Sequence, residues 1–130
     1  MSLTVPAALT AQAQRDEVDD AAFVACIRDS LPYAWNLIND LAHRLRDEGG
    51  PFADNQTPPP DEAARGQLLR ALASDAIRGA LERHFGVRLA FQNCHRVAVF
   101  APGAGADAAR REFTTPRQQI LNQSPELVDC

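Results

Sequence analysis

Gly86-Val87-Arg88-Leu89-Ala90-Phe91-Gln92-Asn93-Cys94-His95-Arg96-Val97-Ala98-Val99-Phe100 is the stretch whose reading decides the fold. On either side of Gln92-Asn93-Cys94-His95 stand runs of β-branched and aromatic residues, Val87 to Phe91 and Arg96 to Phe100. Such runs prefer extended backbone, and a short polar segment between them suits a turn. The pattern predicts a β-hairpin, or one long strand. Two strands alone are marginal in water. The hairpin must therefore pack on helices, pair with a second copy of the chain, or join a further strand.

Upstream of it the period is helical. Asp61-Glu62, after the prolines at 58–60, opens a helix predicted to run to His84 or Phe85 and to stop at Gly86. Its apolar line is Leu69, Ala73, Ile77, Leu81 and Phe85, at four-residue steps, with Gly66 as the place where it would break. Leu31 to Glu48 is the clearest helix, with Leu31, Ala34, Trp35, Ile38, Leu41, Ala42 and Leu45 on one stripe and Ser30 expected as its N-cap. Asp40 and Arg44 are placed as an i,i+4 pair on its other side. A helix from about Asp20 to Asp29 precedes it, opened by the acidic cluster at 16–20. Residues 49–60 read as a loop anchored by Phe52, and 1–15 as a loose arm, with a helical turn after Pro6 as the alternative. Downstream, short helices are expected at Asp107 to Phe113, from Pro116 to about Asn122, and as a last turn from Ser124 to Cys130.

The fold class is thus mainly α: three principal helices, a small β-hairpin or strand near 87–100 and short C-terminal helices, with α+β as the alternative. Residues 16–130 form one domain after the arm at 1–15. At 130 residues the chain is long enough to bury a core without metal or disulfide staples. Its 45% hydrophobic and 23% charged residues are ordinary for a globular protein. No apolar run approaches the roughly 20 residues that span a bilayer, and the opening residues lack a signal-peptide pattern. Three cysteines, Cys26, Cys94 and Cys130, at wide spacing argue against a disulfide framework and for a reducing compartment. The expected location is cytoplasmic.

All thirteen basic residues are arginine, a bias of a GC-rich coding sequence. The net charge of −4 is uneven, with −7 over residues 1–64 and +5 over residues 65–117. Acidic and basic halves facing each other across the fold would account for this. A basic surface for an anionic partner is the sharper alternative.

Three constellations are candidates for chemistry. In Gln92 to Arg96, Cys94 would serve as a thiolate with His95 or His84 as its base, which requires a turn, because neighbours on a strand point to opposite faces. The blander reading makes this a hairpin turn set by Asn93 and His95, with Cys94 inert among Leu89, Phe91, Val97 and Val99. Asn36, Asn39, Asp40 and His43 share the polar side of the Leu31–Glu48 helix and would line a pocket beside Tyr33 and Trp35, closed over by Asp54-Asn55-Gln56. Asn93, Arg96, Trp35, Asn39 and His43 are the candidate ligand-binding residues. Third, a helix followed by a hairpin has the order of a winged-helix DNA binder, with Arg70, Arg78 and Arg83 on the helix and Arg88 or Arg96 on the wing. A pI near 5.3 and the acids Asp75 and Glu82 on that helix weigh against nucleic acid, and Arg78–Glu82 is placed as an internal pair.

No Cys-x-x-Cys, His-x-x-His or His-Glu-x-x-His spacing occurs, so neither a metal nor a cofactor is expected. These residues do not decide whether the chain is an enzyme. The leading expectation is a non-catalytic binding or regulatory protein of unknown small-molecule or protein partner. The hairpin and the small residues Ala73, Ala76, Gly79 and Ala80 point to a homodimer. An enzyme using Asn93-Cys94-His95 and a winged-helix DNA binder are the alternatives.

Overall fold

The structure is a computed structural model and describes residues 2–123. The fold is mainly helical with a small antiparallel sheet. In chain order come α1 (Ala7–Gln14), α2 (Asp20–Ser30), α3 (Pro32–Glu48), β1 (Phe52–Asp54), α4 (Glu62–Leu72), α5 (Asp75–Phe85), β2 (Arg88–Gln92), β3 (Arg96–Phe100), α6 (Ala104–Phe113) and α7 (Pro116–Leu121).

The hairpin forms as expected, with Gln92 opposite Arg96 and Leu89 opposite Val99. Its third strand is one the sequence reading took for loop. β1 pairs antiparallel with β3, Phe52 opposite Phe100 and Asp54 opposite Ala98, so the sheet order is β1-β3-β2. Three residues before a proline-rich segment carry too little pattern to announce a strand. Only the partner β3 reveals it.

β3 is central and covered on both faces, and Val97, Ala98, Val99 and Phe100 are all buried. That explains its unbroken apolar run, because alternation survives only where one face meets water. On one face Leu89, Val97 and Val99 join Ile27, Ile38, Leu41, Leu68, Ile77 and Leu81 in the main core. On the other, Ala90, Ala98 and Phe100 pack on Ala106 and Phe113 of α6. Phe52 stacks on Phe100, with ring centroids 5.4 Å apart. The hairpin is thus supported from within the chain, and the argument for a second copy that rested on its marginality falls away.

The long third helix is two helices. The break falls at Ala73-Ser74, not at Gly66, which stays inside α4. Ser74 is the N-cap of α5: its Oγ accepts from the backbone N–H of Ile77 at 3.3 Å, and Asp75 follows in the first turn. Those residues are a start signal that lies inside the unbroken four-residue spacing of Leu69, Ala73 and Ile77. The break resets the helical phase. Leu68 is 0% exposed and Leu69 is 42% exposed, whereas the continuous helix puts Leu69 on the apolar line and Leu68 beside it. α5 ends where expected, at Gly86, whose φ of 66° is left-handed.

Other helix ends differ in detail. Ser30 does not cap α3; its Oγ accepts from Thr4 N–H at 2.8 Å. Gln67 of α4 supplies the cap instead, its Oε1 accepting from the N–H groups of Tyr33 and Ala34 at 2.7 and 3.2 Å. Within the N-terminal arm α1 follows Pro6, and Leu9 on it is buried. The expected turn at 124–130 lies outside the described residues. Cys94 is disulfide-bonded while Cys26 is a free, buried thiol. Wide spacing could not foretell that bridge, because disulfides depend on proximity in space. The support that unpaired cysteines lent to a reducing compartment goes with it.

Of the acidic and basic halves, Asp20 meets Arg83 at 2.9 Å and Asp54 meets Arg96 at 2.6 Å across the fold. Arg83 holds the Asp20 carboxyl below its ordinary value through their hydrogen bond and charge. Arg78 pairs with Asp75 at 2.6 Å and Glu82 with Arg88 at 3.3 Å, so the expected Arg78–Glu82 pair is not made. Among the described residues no helix is long and apolar enough to cross a membrane.

Two tests address this architecture. Leu68→Ala should destabilise the protein by about 2–5 kcal/mol, whereas Leu69→Ala should cost under about 0.5 kcal/mol, both read from urea denaturation. Equal costs would restore the continuous helix. Asn55 is buried; its Oδ1 accepts from Val97 N–H at 2.8 Å and its Nδ2 donates to the His95 carbonyl at 2.7 Å. Asn55→Ala orphans both and should cost about 2–3 kcal/mol, a loss that a cost under about 0.5 kcal/mol would contradict.

Candidate functional site

The residues singled out from the sequence come to rest in three places. The first is the hairpin turn. Asn93 and Cys94 have φ of 52° and 46°, and His95 N–H donates to the Gln92 carbonyl at 3.3 Å. Asparagine tolerates the left-handed region better than most residues, which fits Asn93 to its place. Cys94 is half-buried at the turn rather than packed among Leu89, Phe91, Val97 and Val99, because the turn lifts it off the sheet face. Its sulfur is in a disulfide and offers no thiolate in that state.

His95 is buried, its Nδ1 hydrogen-bonded to the Asn93 carbonyl at 2.6 Å. Gln92 donates to the Phe113 carbonyl and accepts from Asn122 Nδ2 at 2.9 Å, and Asn93 Nδ2 donates to the Asn122 carbonyl. Arg96 gives Nε and Nη2 to Asp54 Oδ2 at 2.9 and 2.6 Å. This polar segment ties β1, the hairpin and α7 together. Its groups are spent on one another.

The second place is an aromatic cluster. His84 does not approach the turn; its ring lies 5.1 Å from Trp35 and 4.8 Å from Phe85. The third is the exposed side of α3, where His43 Nδ1 hydrogen-bonds the Asn39 carbonyl at 2.8 Å within the helix. Among the described residues no three of His, Cys, Asp and Glu converge as metal ligands. The arginines proposed for DNA diverge: Arg83 reaches α2, Arg96 reaches β1, and α5 packs on α2.

The pocket that does form on α3 is displaced from the asparagine side. A cleft of about 530 Å³ lies between α3 and the 55–60 loop, lined by Tyr33, Leu37, Asp40, Leu41 and Arg44 on one wall. Those positions step by three and four residues, so they share one face of the helix. Asn55, Gln56, Thr57, Pro58 and Pro60 form the other wall. Of the residues the sequence places around a pocket here, Tyr33, Asp40, Asn55 and Gln56 line the cleft, whereas Trp35, Asn36, Asn39, His43 and Asp54 do not; Arg44, expected as the partner of Asp40, lines it as well.

The loop is held at both ends. Asn55 bonds to β3 as described, and Gln56 Nε2 donates to Asp54 Oδ1 at 2.7 Å. At the far end Asp61 caps α4, accepting from Ala64 N–H at 2.8 Å. Arg44 Nη2 donates to the Asp54 carbonyl at 2.6 Å, a strap from helix to loop. Proline fixes φ, so the wall between these anchors is stiff.

The cleft is mostly apolar, with a carboxylate, a guanidinium and a phenol among its lining groups. Burial, and then the negative charge of Asp61, push the Tyr33 hydroxyl above its ordinary value of 10.0. It is therefore a neutral donor and acceptor at physiological pH. Among the described residues its lining holds no cysteine, histidine or serine; its polar side chains are those of Tyr33, Asp40, Arg44, Asn55, Gln56 and Thr57.

No curated protein and no solved structure matches the chain. A family model described as NucS shadow ORF matches residues 1–130, and the chain belongs to that family.

Proposed function

We propose that the chain is a non-catalytic binding protein whose ligand occupies the cleft between α3 and the 55–60 loop. One observation carries this reading. Asp40 and Arg44 stand one helical turn apart on the same wall as the apolar Leu37 and Leu41, and no ion pair joins them. Opposite charges on an otherwise apolar wall suit a small zwitterion with an apolar side group, such as an amino acid or dipeptide. Arg44 would take its carboxylate, Asp40 its ammonium, and Tyr33 a neutral polar atom. The volume lies within the usual range of small-ligand pockets.

The family's description favours a second reading. It names a shadow reading frame of NucS, and a shadow frame is read from DNA that also encodes another protein. In that reading the product carries no selected function, and the lysine-free composition reflects codons constrained by the other frame.

The first reading is tested with dipeptides of apolar residues, using saturation-transfer NMR and the absorbance of tyrosinate. Tyr33 is the only tyrosine, so its ionisation reports on the cleft directly. Its midpoint should lie above 10.0 and fall part-way back in Asp61→Asn, since burial is the larger cause. A bound dipeptide should raise it further, at Kd of about 1 mM or tighter, and Arg44→Ala or Asp40→Ala should abolish the effect. Binding indifferent to both substitutions, or none, sinks the reading. The second is tested with a stop codon in this frame that is silent in the overlapping one. Absence of the peptide from wild-type cells by mass spectrometry, with no change in growth, would establish it; a peptide lost together with a growth defect would exclude it.

A further inference from the structure

A second cleft, about 370 Å³, lies between α5, β2 and α6 and is lined by Arg78, Arg88, Arg110, Glu82 and Thr114 among others. Three guanidiniums face it from three different elements. Each has a different degree of commitment to the rest of the protein.

Arg78 is anchored: Nη1 donates to the Leu72 carbonyl at 3.1 Å and Nη2 to Asp75 Oδ1 at 2.6 Å. Arg88 gives only Nε to Glu82 Oε2, at 3.3 Å, and the same oxygen also accepts from Leu89 N–H at 2.9 Å. Arg110 stands apart. Among the described residues its Nε is a buried side-chain nitrogen with no hydrogen-bond partner. Thr114 does not serve it, since its hydroxyl donates to the carbonyls of Arg110 and Arg111 at 3.0 and 3.2 Å.

A buried donor on a permanent cation is costly to leave unmatched, and such orphans mark the place of a missing acceptor. Among the described residues Glu82 is the one carboxylate lining the cleft, and its bonded oxygen is shared between Arg88 and the β2 backbone. The cleft is therefore lined by an excess of positive charge, and one of its guanidiniums keeps a buried N–H without an acceptor. Arginine's planar fork matches the oxygens of phosphate, and a phosphate monoester brings close to two negative charges and three acceptor oxygens.

We infer that this cleft is an oxyanion site for a phosphate monoester, held by Arg110 and Arg88 against the fixed Arg78. It is separate from the α3 cleft and does not depend on it. Phosphodiesters of single-stranded nucleic acid share the chemistry, but they offer one charge per group and require an open groove on both sides.

The test is NMR of isotope-labelled arginine side chains in the full chain, titrated with phenyl phosphate and, separately, with oligothymidylate. Phenyl phosphate should shift the Arg110 Nε–H resonance with a Kd of about 1 mM or tighter. Arg110→Gln and Arg88→Gln should each weaken binding about tenfold, and Arg46→Gln, at the far end of α3, should leave it unchanged. Arg88 is exposed, so its variant reports even if Arg110→Gln does not fold. No shift of Arg110, unaltered binding by Arg88→Gln, or tighter binding of the oligonucleotide than of phenyl phosphate would each overturn the assignment.

Discussion

Everything that positions the α3 cleft hangs on the way Asn55 completes the sheet. A three-residue strand at an edge has few ladder bonds of its own. Asn55 extends β1 by one further step, pairing its backbone N–H with the Val97 carbonyl at 3.3 Å and its side chain with Val97 N–H and the His95 carbonyl. Beside it Asp54, 7% exposed, is neutralised by Arg96. Removing either partner of such a pair leaves a buried charge, at a cost of about 3–5 kcal/mol. This asymmetry locks the loop: the groups are stable together and unstable apart.

From that knot the rest follows by connection. Arg44 reaches across to the Asp54 carbonyl, which fixes the spacing between α3 and the loop. Gln67 caps α3 from α4, so the helix bearing Tyr33 and the helix closing the loop share an anchor. The hairpin turn uses its polar side chains to hold α7, and α6 covers the second face of β3. The segment that looked most chemical in the sequence is a structural hub.

Helices 20–30 and 32–48 and the hairpin were legible because each has a long, regular pattern and a clear stop. The split of the third helix was not. Leu69, Ala73 and Ile77 keep four-residue spacing across the break, and only Ser74-Asp75, a cap signal two residues long, contradicts it. β1 was hidden for a different reason: a short edge strand takes its identity from the strand it joins. The candidate site was half visible. Helical spacing brings Tyr33 and Asp40 to one face, yet whether Arg44 turns to Asp40 or to the Asp54 carbonyl depends on where the loop lies. The Trp35–His84 stack is a contact between distant segments, and no local pattern encodes it.

The sheet order β1-β3-β2 sets a timetable as well as a shape. β2 and β3 are neighbours across a three-residue turn and can zip together locally, within about microseconds. β1 arrives from beyond two helices, so its docking requires a much larger loop closure and comes after the local pairing. The cleft wall at 55–60 begins where β1 ends. A species with the hairpin and helices in place but β1 undocked would keep most of its core and have no cleft. Formation of the core and formation of the cleft are therefore separable in this topology, because the cleft wall needs β1 docked and most of the core does not.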